Sequence, residues 1–160
     1  FDAAGTFSSA AWAYDDTTGA VTLIGSRAAN TCDILDQISD GTYTDGAYRI
    51  QILGDEPGAA WDMTPGVLDI DGLGEFGEGD GSTVEVNATI TIDGMMFSYR
   101  LAGTTAVPGT VNITFIESGA TFEGFINAID GPAEGYGIDG AFNACYCEDV
   151  VGVSWPIEVW

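Results

Sequence analysis

Residues Thr83 to Ala102 read TVEVNATITIDGMMFSYRLA. On an extended strand Val84, Val86, Ala88, Ile90 and Ile92 fall on one side, and Thr83, Glu85, Asn87, Thr89 and Thr91 on the other. That period of two predicts one face for a core and one for water. Asp93-Gly94 follows, a dipeptide that accepts the positive φ angles of a type I′ turn, and Phe97, Tyr99 and Leu101 then resume the alternation. The stretch predicts a β-hairpin, and the rest of the chain is organised around it.

Outward from the hairpin, the sequence repeats the same grammar. Its 160 residues suit one domain, 1–160, large enough to bury its own core. Its 23 glycines punctuate short runs of Thr, Val and Ile, a pattern of many strands and tight turns. Strands are predicted near Thr6 to Tyr14, Ala20 to Ser26, Ala47 to Leu53, Val67 to Ile70 and Thr110 to Ile116. Asn30-Thr31 can cap one short helix over Cys32 to Ser39, with Asp33 in its first turn and Ile34, Leu35 and Ile38 at helical spacing. Gly124-Phe125-Ile126-Asn127-Ala128 is echoed by Gly140-Ala141-Phe142-Asn143-Ala144, and Asp130-Gly131-Pro132 between them predicts a second hairpin. The expected fold is an all-β antiparallel sandwich, of jelly-roll or immunoglobulin-like style, with one short helix.

Charge excludes several functions. Asp and Glu number 25 against three basic residues, Arg27, Arg49 and Arg100, for a net charge of −22. Nothing here neutralises phosphates, so nucleic acid is not an expected partner, and an anionic membrane surface is disfavoured for the same reason. Such a surface is solvated acid, an adaptation to saline surroundings, or a set of carboxylates bridged by divalent cations. There is no histidine, hence neither the usual general base nor the commonest metal ligand. No apolar run reaches the roughly 18 residues of a membrane span. The chain opens at Phe1 without a signal-like segment, and the expectation is a processed, exported form in an extracellular or cell-surface setting.

One loop has metal-binding composition. Asp71-Gly72-Leu73-Gly74-Glu75-Phe76-Gly77-Glu78-Gly79-Asp80-Gly81 alternates glycine with carboxylates, and with Asp69 before it Asp71, Glu75, Glu78 and Asp80 form an oxygen-rich set of the kind calcium takes. Their spacing matches no EF-hand, and an exposed acidic loop has the same composition. Calcium is the single cofactor for which the sequence makes room.

Of the cysteines Cys32, Cys145 and Cys147, the last two are two apart on one strand face and poorly placed to bridge each other, whereas either can reach Cys32. One long-range disulfide and one leftover thiol are expected. The closing segment Gly140-Ala141-Phe142-Asn143-Ala144-Cys145-Tyr146-Cys147 resembles the end of β-rich, lipoprotein-type surface domains of bacteria, of the pattern Gly-x-Phe-x-Ala-x-x-Cys. The resemblance covers Cys32 and the last third of the chain. It implies a pairing of Cys32 with Cys147, Cys145 being the alternative. This sequence departs from the pattern in lacking a lipidated cysteine before Phe1, in carrying Cys145, and in continuing past Cys147.

That continuation places Val151, Val153, Trp155, Ile157 and Val159 on one phase, and predicts a terminal apolar-faced strand with Pro156 holding it to a sheet edge or bulge. The leading functional expectation is a non-enzymatic, self-assembling, filament- or pilus-like subunit. Its segment 151–160, or alternatively 1–14, would complete a neighbour's sheet by strand addition. The alternative is a secreted carbohydrate- or ligand-binding module, with Trp12, Tyr14, Trp61 and Tyr136 stacking on sugars. A two-carboxylate hydrolase is the weakest reading, because no carboxylate pair stands out. Asn87-Ala88-Thr89 and Asn112-Ile113-Thr114 are glycosylation acceptors, both asparagines on the expected polar phase of their strands.

Overall fold

A computed structural model describes residues 7–54, 60–70, 83–102, 109–130 and 137–157. Its strands are β1 (Ser9–Tyr14), β2 (Val21–Ser26), β3 (Ala47–Leu53), β4 (Gly66–Asp69), β5 (Thr83–Ile92), β6 (Met95–Ala102), β7 (Thr110–Ile116), β8 (Thr121–Asp130) and β9 (Ile138–Tyr146). The predicted hairpin is β5–β6, paired from Val86↔Leu101 to Ile92↔Met95, with Asp93 at φ 51° and Gly94 at φ 78° making the turn. The echoed segments form the β8–β9 hairpin, in which Gly124 faces Phe142 and Ile126 faces Gly140.

All nine strands share one curled, mixed sheet in the order β4-β7-β8-β6-β5-β3-β2-β1-β9. Because β8 also pairs with β9, the hydrogen-bonded circuit returns on itself, and β7 and β4 extend from it. The all-β class and the short helix hold. Among the described residues the strands form this one sheet and not the two of the expected antiparallel sandwich, and β1 runs parallel to β9 through Ala10–Trp12 and Ala144–Tyr146.

The concave face encloses the main core. Trp12, Leu23, Ile50, Ile52, Val84, Val86, Leu101, Ile113 and Phe122 are nearly or fully sequestered there, and Phe122 meets Trp12 and Phe142 edge-on at centroid distances of 5.6 and 5.3 Å. Each such side chain contributes about 1.5–3 kcal/mol through removal from water. A second core lies on the convex face. The alternation in β1 puts Trp12 inside and the small Ala11 and Ala13 outside, so helical segments approach closely and pack Leu35, Ile38, Cys147 and Val150 against them.

Those segments are where prediction and structure diverge in detail. The predicted helix begins as a 3-10 turn, Thr31–Ile34, and becomes α1 (Leu35–Asp40), with the Asn30 side chain accepting from the Cys32 N–H at 3.2 Å and Gly41 closing it in the left-handed region at φ 77°. The terminal strand expected from Val151 onward is not found over the described residues: Glu148–Gly152 is a 3-10 helix, and 153–157 form no strand. The Cys147 N–H donates to the Trp12 carbonyl and its sulfur bonds Cys32, so the chain is pinned and turned there before any ladder can continue. Among the described residues no helix is long and apolar enough to cross a membrane.

Candidate functional site

The segment after this pin returns across the outside of the sheet. Val153 and Trp155 pack on the outer core, the Ser154 N–H donates to Ser39 Oγ at 3.0 Å, and the Arg49 guanidinium lies 5.2 Å from the Trp155 ring. At β6 the Ser98 N–H donates to the Ile157 carbonyl at 2.9 Å and Ser98 Oγ to that of Pro156 at 3.1 Å. Among the described residues the edge of β6 opposite β5 has no strand partner along Met95–Arg100, and β6 meets β8 through Leu101 and Ala102. The tail therefore lies against Arg49 of β3 on the convex face and meets β6 at Ser98, along that open edge.

Sequence reasoning assigned this face to water. In the structure Asn87, Thr89 and Ser98 are all buried on it. Asn87 Oδ1 accepts from Arg49 across the ladder at 3.0 Å, and Arg49 also reaches Glu85 at 3.7 Å. Thr89 Oγ1 stands in for a strand neighbour, accepting from the Ala47 N–H at 2.8 Å and lying 3.3 Å from the Ala47 carbonyl, where the β3–β5 register ends. A saccharide on Asn87 is therefore incompatible with the fold. Asn112 is different: on β7 it alternates outward between Val111 and Ile113, both inside, and remains partly exposed.

The five apolar positions of the expected donor strand separate. Val153 and Trp155 face the chain's own outer core, whereas Val151 and Ile157 are exposed, Ile157 by 78%; Val159 lies outside the described residues. Of the alternative donor 1–14, Ser9–Tyr14 is a central strand between β2 and β9, and Phe1–Thr6 lie outside the described residues.

The structure joins Cys32 to Cys147, with Cα atoms 6.2 Å apart, and leaves Cys145 as an exposed thiol. Among the described residues, the group of potential metal ligands that converges is Cys32, Cys147 and Asp149. Its two sulfurs are spent on each other, so it offers no thiolate. Of the acidic calcium set, Asp69 ends β4 in an exposed position; Asp71, Glu75, Glu78 and Asp80 lie outside the described residues.

The sugar-stacking candidates are mostly structural. Trp12 and Trp61 are buried in the main core, Trp12 donating its indole N–H to the Ala120 carbonyl, and Tyr14 packs against the same core; Tyr136 lies outside the described residues. What sequence reading missed is an apolar outer face elsewhere: Val67, Phe115 and Phe125 on β4, β7 and β8 are 58, 46 and 53% exposed. The alternation of β8 signals it, because Phe122 and Phe125 stand on opposite phases and both cannot enter the core. No family model, curated protein or solved structure matches the chain.

Proposed function

We propose that this protein is an exported, non-enzymatic structural subunit that associates with copies of itself by exchanging its C-terminal tail. In the associated form the tail of one copy takes the place, on the convex face of its neighbour, that it holds on its own. The observation that carries this reading is how separable the tail is. Beyond Val150 the described tail is held by one hydrogen bond to Ser39, two to Ser98, the Arg49–Trp155 contact, and the partial burial of Val153 and Trp155 against the outer core. Hydrogen bonds contribute about 1 kcal/mol each and a partly buried cation–π contact about 1–2 kcal/mol, and exchange between copies can replace these together with the apolar contacts in full. The disulfide at Cys147 fixes the root of the tail, so the tail can move as a unit while the main core and the disulfide-linked part of the outer core stay intact.

An exported setting is consistent with the disulfide, which persists in oxidising compartments. The charge of −22 opposes association at low ionic strength, and salt that shortens the screening length to about 3 Å at 1 M removes that opposition. The test is the size distribution by light scattering and electron microscopy across a salt and calcium series, for the intact chain and for a version ending at Gly152. Assemblies of the intact chain that vanish on truncation support the reading. A monodisperse monomer in both forms at every salt concentration refutes it.

A further inference from the structure

The convex face formed by β4, β7 and β8 differs from the face under the tail, because no described part of the chain covers it. Its cross-strand register sets Val67 opposite Asn112 and Asn112 opposite Phe125. The flanking side chains are 58 and 53% exposed, and Phe115 lies further along β7 at 46%. Asn112 thus stands in the middle of an exposed apolar row. Among the described residues its side-chain amide has no hydrogen-bond partner, whereas the Asn87 amide oxygen is occupied by Arg49.

Two residues on, the β7–β8 register shifts between Ile113 and Phe115, and the intervening Thr114 is exposed, its hydroxyl 3.2 Å from the Glu123 carbonyl. The bulge turns that residue to the surface. Asn112-Ile113-Thr114 is therefore an acceptor triplet with both polar members outside the core. In Asn87-Ala88-Thr89 both polar members are buried.

We propose that Asn112 carries an N-linked saccharide whose first rings lie over Val67 and Phe125. Directly opposed residues on a sheet face have Cβ atoms roughly 5 Å apart, so a pyranose on the Asn112 amide reaches both neighbours. Its C–H face packs on the phenyl ring of Phe125 and the isopropyl group of Val67, and its hydroxyls face water. The donor is a sugar linked to a polyprenyl phosphate. The amide nitrogen attacks the anomeric carbon, the new C–N bond replaces the C–O bond to phosphate, the phosphate leaves with the electron pair, and the amide proton passes to a base of the transferase. Transfer takes place on the extended chain, before β7 pairs, and folding then admits the product at Asn112 and not at Asn87. This inference is independent of tail exchange, since the tail's contacts with the sheet are at Arg49 on β3 and Ser98 on β6.

The test is peptide mapping of the protein purified from the organism that makes it, with cleavage after arginine. The fragment beginning at Leu101 is expected to carry a saccharide mass located at Asn112, and the fragment Ile50–Arg100 to carry none. Asn112→Gln and Thr114→Ala, expressed in the same organism, lose the added mass, while Thr114→Ser keeps it. Enzymatic removal of the saccharide is expected to raise the binding of an apolar fluorescent dye, and unchanged dye binding would overturn its placement over Val67 and Phe125. An unmodified Asn112 in the native protein, or a saccharide at Asn87, overturns the assignment. Should Asn112 be unmodified and Phe125→Asp reduce the size of the native assembly, the face belongs to a second copy and the proposal fails.

Discussion

Gly25 on β2 faces Tyr48 on β3 so closely that a Cβ at Gly25 would lie 2.0 Å from the phenol Cε1 and 2.5 Å from its hydroxyl oxygen. The absent side chain is what lets a ring of that size lie flat against the sheet in the main core. Gly25→Ala is expected to destabilise the fold by about 1–3 kcal/mol through overpacking. In a Tyr48→Ala background the same change should cost markedly less, and urea unfolding of the four chains of that cycle measures the coupling.

Burial of Tyr48 raises its pKa above the ordinary phenol value, because the phenolate has no water around it. The unfolded chain loses this proton near pH 10 while the folded chain keeps it, so over that range the unfolded state binds fewer protons. Stability attributable to this group is complete below pH ~10 and falls above it by about 1.4 kcal/mol per pH unit until the folded phenol ionises. Tyr48→Phe should flatten that alkaline fall, as read from thermal unfolding midpoints between pH 9 and 12. An identical alkaline fall in both proteins would show that other groups govern it.

Asn87 is buried and tied to Arg49, whose guanidinium lies beside Trp155 of the tail, where an unanswered N–H is costly. Asn87→Ala is expected to cost about 1–3 kcal/mol. Trp155→Ala, which opens the same face to water, should make the additional loss from Asn87→Ala smaller. Chemical denaturation of the single and double variants tests this.

The disulfide closes a loop with a sequence separation of 115, and its removal should release both the helical cap and the root of the tail. On the chain-entropy account a loop of this length is worth about 5 kcal/mol. Cys32→Ser with Cys147→Ser is expected to lose that much stability and to expose Trp155, visible as a red shift of tryptophan emission. Substituting Cys145, exposed and unpaired with any cysteine, should leave both quantities unchanged.

The parts of this fold legible in the sequence are those fixed by local chemistry. Asp93-Gly94 turns the hairpin, Asn30 caps the helical segment, and the alternation in β5 places Val84, Val86 and Ala88 inside. Chain order alone could not reveal which outer faces are covered. Asn87, Thr89 and Ser98 read as solvent-facing because polar alternation ordinarily marks a wet face; here the tail arrives from 58 residues away in the case of Ser98 and Pro156. The tail itself carries strand-like alternation from Val151 to Val159. Its course is set instead by Cys147, pinned to Cys32 and β1, and by Pro156, which has no N–H to give a ladder. Likewise Trp12 and Trp61 look like ligand-stacking rings until the curled sheet closes around them.

Tail exchange is tested most directly by trapping the contact at the β6 edge. A Cys145→Ser chain carrying Ser98→Cys and Pro156→Cys places a thiol on each side of the Ser98–Pro156 contact. Oxidation of the assembled protein at high salt, followed by electrophoresis without reductant, reports whether the tail is joined to its own body or to a neighbour's. The account predicts a ladder of covalent multimers that collapses to one band on reduction. Cross-linked monomer alone, at concentrations and salt where the intact chain is assembled, would contradict it.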